Sequence, residues 1–176
     1  MKQLYQLINM INKINFIFVT FFGIGKVKFA PGTCASILTT IILFYFFHII
    51  KISNEIILMS LILIFAYSFY GVQRYIEKRD NKDPKEVVID EVIGQSIPLY
   101  LYQISHGGNK GFQEALMYYI YIFLLFRFFD IKKPFPINLI DKKYKNSFGV
   151  IFDDIIAGFY TVTTLVVFIV IKSKFF

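Results

Sequence analysis

Arg127-Phe128-Phe129-Asp130-Ile131-Lys132-Lys133-Pro134-Phe135-Pro136-Ile137, followed after a basic linker by Gly149-Val150-Ile151-Phe152-Asp153-Asp154-Ile155-Ile156-Ala157-Gly158, is the stretch on which the reading of this chain turns. Apolar sequence flanks it on both sides. Three carboxylates (Asp130, Asp153, Asp154) and three cations (Arg127, Lys132, Lys133) therefore gather where a hydrophobic chain meets water. Carboxylates hold hard divalent cations, and ammonium and guanidinium groups hold phosphate. Both kinds of group together at a membrane surface imply metal-assisted chemistry on a phospholipid headgroup.

The composition around that stretch agrees. The hydrophobic fraction is 56%, with 22 Phe and 12 Tyr, and only 18% of residues are charged, against about 45–50% apolar and about 25% charged in ordinary soluble domains. The 176 residues show no repeat or low-complexity linker, so they read as one domain, residues 1–176. The net charge of +7 does not indicate nucleic acid, because the cations are not interleaved along one polar face. They sit in loops between apolar runs, which favours anionic membrane lipid as the partner. Cys34 is the single cysteine, so no intrachain disulfide forms.

At the N-terminus, Leu4, Leu7, Ile8, Ile11, Ile14 and Phe18 fall at helical spacing, with Gln3, Gln6, Asn9, Asn12 and Lys13 off the stripe. This predicts an amphipathic helix lying in the membrane interface. A signal peptide is the weaker reading, since no small-residue cleavage site follows the apolar stretch 16–22. A turn at Pro31-Gly32-Thr33 leads into apolar runs at 34–50, 56–73, 92–105, 115–126 and 155–171. Each is near or below the roughly 17–25 residues that a crossing helix needs. The expected fold is all-α: a compact membrane-embedded bundle of about four to five apolar helices, some of them re-entrant, plus the N-terminal amphipathic helix. A soluble all-helical core is the competing reading, because short apolar helices build large cores too.

If all five runs span, residues 21–33, 74–91 and 127–154 share one face. That face carries thirteen of the 19 Lys and Arg, among them Lys28, Arg74, Lys85, Arg127, Lys132 and Lys133, whereas the other carries only Lys51, Lys110, Lys172 and Lys174. The positive-inside rule puts the richer face in the cytoplasm. Every polar motif lies on it, so the expectation is a multi-pass protein with its site facing the cytoplasm.

Asp83-Pro84-Lys85-Glu86 reads as a helix start with Asp83 as cap. Asp90, Glu91 and Gly94 follow, and one turn from Asp90 the glycine leaves room for a metal or another helix. An acidic pair at a helix start commonly does no more than satisfy the dipole, and Asp153-Asp154 before Ile155 is open to the same reading. Their company argues otherwise, since Asp130 closes a third helix on the same face and carboxylates from three helix ends then converge. Asp90, Glu91, Asp130, Asp153 and Asp154 are the candidate metal ligands. Mg²⁺ suits them, because it takes oxygen ligands and needs only a few carboxylates. His48 and His106 read as structural, with no second ligand type at metal spacing. The segment from Gly23 to Thr33 reads equally as a phosphate cradle and as a turn capped by Thr33 or Ser36; it lacks the Lys-Ser/Thr of a nucleotide loop.

Eliminations narrow the chemistry. A cysteine phosphatase needs Arg six residues after its Cys, and Thr40 stands there. No Asp-x-Asp nucleophile is present, nor a histidine nucleophile with paired basic motifs. Water activated by metal remains.

Taken together, Phe22-Gly23 with Pro31-Gly32-Thr33 and Ser36, the run Val88-Ile89-Asp90-Glu91-Val92-Ile93-Gly94, the whole of Arg127 to Ile137, and Gly149 with Asp153-Asp154-Ile155-Ile156-Ala157-Gly158 resemble the phosphatidylglycerophosphatase A family. Asp141 fits the spacing between the last two pieces. The matching pieces cover most of residues 21–158. One departure is Ala35, where the family has glycine in Gly-Thr-x-Gly-Ser. The resemblance implies Mg²⁺-dependent hydrolysis of the terminal phosphate of phosphatidylglycerol phosphate at the bacterial inner membrane. On that reading Asp90, Asp130 and Asp154 are the catalytic carboxylates, and Arg127, Lys132, Lys133, Gly32 and Thr33 bind the substrate phosphate. The family also contains soluble all-α members, and whether this protein is a homo-oligomer stays open. A small multipass transporter or membrane subunit is the alternative. Against it, all twelve carboxylates lie outside the five apolar runs. A phospholipid alcohol phosphotransferase would need a nucleotide-diphosphate site, and no such pattern is present.

Overall fold

The structure, a computed structural model, describes residues 1–77, 79–82, 84–106, 110–144 and 146–175, with residues 141 and 142 described by their backbone alone. Among these residues the chain forms seven α-helices and no strand: α1 (Lys2–Val19), α2 (Pro31–Phe44), α3 (Asn54–Ile76), α4 (Ile89–Ser105), α5 (Phe112–Lys132), α6 (Ile137–Lys143) and α7 (Ser147–Phe175). A π-helical segment, Tyr45–Ile50, prolongs α2.

Helix α4 is the hub, packing on α7, α2, α3 and α5. Ten of its 17 residues are buried, so it is a core helix more than a lipid-facing one. Its closest crossing is with α7, and two glycines permit it. A Cβ at Gly94 would lie 2.6 Å from the Asp154 carbonyl oxygen, and one at Gly158 would lie 2.7 Å from the Gly94 carbonyl oxygen. The room beside Asp90 that Gly94 leaves is thus taken by a helix. Buried hydroxyls at this level are satisfied within their own helices, as Ser96 Oγ donates to the Val92 carbonyl at 2.6 Å and Thr161 Oγ1 to that of Ala157 at 2.9 Å.

The five apolar runs all fall on helices, but three helical stretches of the described residues are long and apolar enough to cross a membrane: Pro31–Ile50, Asn54–Ile76 and Ser147–Phe175. The polar residues of α4 (Asp90, Glu91, Gln95, Gln103) and of α5 (Glu114, Arg127, Asp130, Lys132) dilute the helices that carry the other two runs. The amphipathic α1 forms as expected. Its polar edge docks on α3, where Asn15 Nδ2 donates to the Gly71 carbonyl at 2.9 Å and Arg74 Nε to Asn12 Oδ1 at 3.1 Å. Leu4, Leu7 and Ile14 of its apolar stripe remain exposed.

Three local expectations are corrected. Residues 84–87 form a turn, and the helix begins only at Ile89; Asp83, expected to cap it, lies outside the described residues. Pro31-Gly32-Thr33 is the first turn of α2 and not a turn before it, so neither Thr33 nor Ser36 is a cap: Ser36 Oγ donates back to the Gly32 carbonyl at 3.0 Å. Helix α7 begins at Ser147, two turns before the apolar run at 155–171, and Asn146 Oδ1 accepts from the Gly149 N–H at 3.1 Å as its cap. Asp153 and Asp154 are therefore buried inside a helix and not at its dipole end. Lys133 ends α5 before Pro134 in a left-handed conformation (φ 42°), its N–H closing the last turn on the Phe129 carbonyl at 2.8 Å.

Candidate active site

The starts of α2, α4 and α7 and the end of α5 meet around a cleft of about 370 Å³, lined by residues that include Gly32, Asp90, Glu91, Arg127, Asp130, Lys133, Asp153 and Asp154. Helix starts present partial positive charge and unpaired N–H groups, so α2 and α4 each turn an anion-stabilising end toward it. Gly32 is needed for shape, since a Cβ there would overlap Glu91 Oε1.

The five carboxylates divide into two sets. One oxygen each from Asp90, Glu91 and Asp154 lie within 4.8 Å of one another. Asp90 and Asp154 are buried, and Glu91 Oε2 is buried without a hydrogen-bond partner among the described residues. The other two carboxylates hold cations: Arg127 Nη1 pairs with Asp130 Oδ2 at 2.6 Å, and Lys133 Nζ with Asp153 Oδ2 at 2.6 Å. Asp153 Oδ1 also accepts its neighbour Asp154's backbone N–H at 3.0 Å, which fixes the pair's orientation. Arg127 reaches across to α2, its Nη1 lying 3.5 Å from Ser36 Oγ.

Burial pushes the Glu91 carboxyl up to about 7, the Asp130 charge adds to this, and a hydrogen bond with Asp90 and the Arg127 charge oppose it. Three acidic groups this close repel one another by several kcal/mol at an effective dielectric of about 20. A divalent cation relieves that repulsion and satisfies the orphaned Glu91 oxygen. The donor set, all carboxylate oxygen, fits Mg²⁺ or another hard cation and not a thiophilic one.

Of the residues expected to bind substrate, Arg127, Lys133 and Gly32 line the cleft, whereas Lys132 is exposed on the outer side of the last α5 turn and Thr33 does not line the cleft. Asp141's side chain lies outside the described residues. Lys28 and Lys85 line the cleft too, and sequence reasoning counted them only as loop charges. Their one signal was position, just ahead of the starts of α2 and α4. His48 and His106 lie at the other ends of α2 and α4, where His48 stacks on Phe44 at 4.6 Å and His106 Nδ1 is 2.7 Å from Ser105 Oγ. The family's missing glycine, Ala35, is fully buried in the core beside Val19 and Val92.

Comparison with known proteins gives one answer at the level of family. The chain is 34% identical over 155 residues to a Haemophilus influenzae protein named Phosphatidylglycerophosphatase A, covering 88% of each chain. It is 32% identical over 143 residues to a Bacteroides thetaiotaomicron protein named provisionally as a phosphatidylinositol-3-phosphatase, covering 81% of this chain and 85% of that one. No solved structure matches at a significant level. The family model for Phosphatidylglycerophosphatase A matches residues 17–169, a span that contains every residue lining the cleft, so the chain belongs to the phosphatidylglycerophosphatase A family and is a phosphatase acting on phosphate monoesters.

Proposed function

We propose that this protein hydrolyses the terminal phosphate of phosphatidylglycerol phosphate, with Mg²⁺ held by Asp90, Glu91 and Asp154, at the cytoplasmic face of a bacterial inner membrane. The observation that carries the reading is the gathering of three carboxylates within 4.8 Å in a cleft rimmed by Lys28, Lys85 and Lys133, at the end of apolar helices. Mg²⁺ bound there supplies Lewis-acid polarisation of the phosphoryl group. Lys28, Lys85 and Lys133 offset the charge of the phosphate, and the N-terminal turn of α2 adds backbone donors. Arg127, fixed by Asp130 and Ser36, holds phosphoryl oxygens in a set orientation. Asp130 takes the proton of the attacking water, and Asp153 keeps Lys133 turned inward. The thirteen-cation face assigned to the cytoplasm is the face on which these segments meet. An ion-coupled transporter would keep an ionisable residue free inside a span, whereas the cleft carboxylates sit together at one end of the bundle.

The Bacteroides relative's name points to a second headgroup with the same chemistry, a phosphate monoester on the inositol of a phospholipid. Phosphate release by purified protein from phosphatidylglycerol phosphate, phosphatidylinositol 3-phosphate and phosphatidic acid, at equal surface density, separates the readings. The proposal expects the first to be cleaved fastest. Preference for the inositol lipid would reassign the substrate, and cleavage of none would refute the proposal.

A further inference from the structure

Between α2 and α5 runs an apolar groove of about 580 Å³, walled by Ile37, Ile41 and Phe44 on one side and by Leu116, Ile120 and Phe123 on the other. On α5 this wall is a single helical stripe, and the next step along it after Phe123 is Arg127, then Asp130. On α2 the stripe leads up from Ile37 to Ala30, which lines the cleft. The polar head of the site and the groove thus share two helix faces.

The groove is dry by construction. Thr40, on its α2 wall, donates its hydroxyl to the Ser36 carbonyl at 2.8 Å and shows the groove its methyl. Tyr119, fully buried at the floor, sends its hydroxyl away to Gln103 Oε1 at 3.2 Å. The far end is closed by Phe44 edge-on to Phe112, with ring centroids 5.2 Å apart. From Arg127 to Phe112 the helix advances roughly 22 Å, and the hydrocarbon layer of one leaflet is about 15 Å deep. Ile41, Leu116 and Ile120 remain exposed along the open side, where a chain can enter from the bilayer without crossing water. A second apolar groove lies between α3, α4 and α7, lined by Ile93 and Ile97 of α4 and by Phe152, Ile155 and Phe159 of α7, and is the alternative seat for a chain that the test below distinguishes.

We infer that the α2–α5 groove holds one fatty acyl chain of the anionic phospholipid whose headgroup occupies the cleft. This rests on the proposed function for the identity of the headgroup, but its test does not depend on turnover. Phosphatidylglycerol with a photoactivatable diazirine midway along one acyl chain, and phosphatidylcholine carrying the same group, are incorporated separately into vesicles with the full-length protein, and the adducts are mapped. The expected result is labelling of the Ile37–Phe44 and Leu116–Phe123 walls that is severalfold stronger from phosphatidylglycerol than from phosphatidylcholine, with equal labelling by the two probes on exposed Leu63 and Met59 of α3. Ile41→Trp or Leu116→Trp, which fill the groove from its lipid-facing side, should each remove the difference. Equal labelling by the two probes at both walls, or a headgroup-dependent signal confined to the α3–α4–α7 groove, would overturn the inference. Phosphate release from phosphatidylglycerol phosphate added with Mg²⁺ to the same preparations keeps the two claims apart. Selective labelling without hydrolysis would sink the proposed activity and leave the groove, and hydrolysis without selective labelling would do the reverse.

Discussion

Replacing Asp154 by Asn separates a catalytic from a structural carboxylate by the sign of its effect on stability. Asp154 is 3% exposed, and its carboxylate lies within 4.8 Å of those of Asp90 and Glu91. At that separation and an effective dielectric of about 20, each like-charge pair costs roughly 3.5 kcal/mol. Asn keeps the shape and removes the charge. With the buried shape kept and no charge to accommodate beside Asp90 and Glu91, the metal-free variant should be at least as stable as the parent. With Mg²⁺ the order changes. The parent gains roughly 2.7 kcal/mol at a Mg²⁺ concentration a hundred times its Kd, whereas the variant gains little and its turnover falls roughly a hundredfold or more. Denaturant unfolding in detergent, with chelator and then with Mg²⁺, alongside phosphate release, measures all three quantities. A variant less stable than the parent in chelator, or one that retains both Mg²⁺ stabilisation and near-parental turnover, would refute the reasoning.

Lys133→Ala should depress hydrolysis far more than Lys143→Ala, because Lys133 pairs with Asp153 in the cleft while Lys143 is exposed on α6; equal losses in phosphate release would mean a general surface-charge effect. Glu91 gives a pH dependence with a defined sign. Its native carboxyl titrates at about 7 against an ordinary 4.5, so between these values the native state holds a proton the unfolded chain has lost, and metal-free stability falls as pH rises through 7. Mg²⁺ must displace that proton, so Mg²⁺ stabilisation should grow from pH 5 to pH 8. Thermal unfolding at both pH values checks this, and a metal effect that ignores pH, or one unchanged in Glu91→Gln, would count against Glu91 as a ligand. A reporter cysteine at exposed Asp80, in a Cys34→Ser background that should keep full turnover, is expected to resist impermeant thiol reagents in intact cells; ready labelling there would reverse the proposed orientation.

The sequence revealed which residues would meet more readily than how they would be held. Periodicity and the apolar runs gave the helices, and the grouping of charge on one set of loops put Asp90, Arg127, Asp130 and Asp154 together. Helix starts were less legible. Residues 147–154 looked like a loop because the adjacent pair Asp153-Asp154 closes them, and its burial is created by α4 and α5, which no local pattern in α7 reports. Pro31-Gly32 looked like a turn because that dipeptide marks turns, but proline also opens helices, and here it opens α2. Of the division of five carboxylates into a close trio and two cation-paired acids, only the Arg127–Asp130 pair is local, at i,i+3 on α5; the trio and the Lys133–Asp153 pair depend on tertiary distances. Lys28 and Lys85 escaped notice for the same reason, since each is an ordinary loop lysine until the starts of α2 and α4 are brought side by side.

Phosphate release from phosphatidylglycerol phosphate by the purified protein, titrated with Mg²⁺ after exhaustive chelation, tests the central claim most directly. The account predicts no measurable release in chelator, a saturable rise with Mg²⁺, and loss of that rise in Asp90→Asn and Asp154→Asn proteins that remain folded. Full-rate release in chelator, or a Mg²⁺ response that both variants retain, would contradict it.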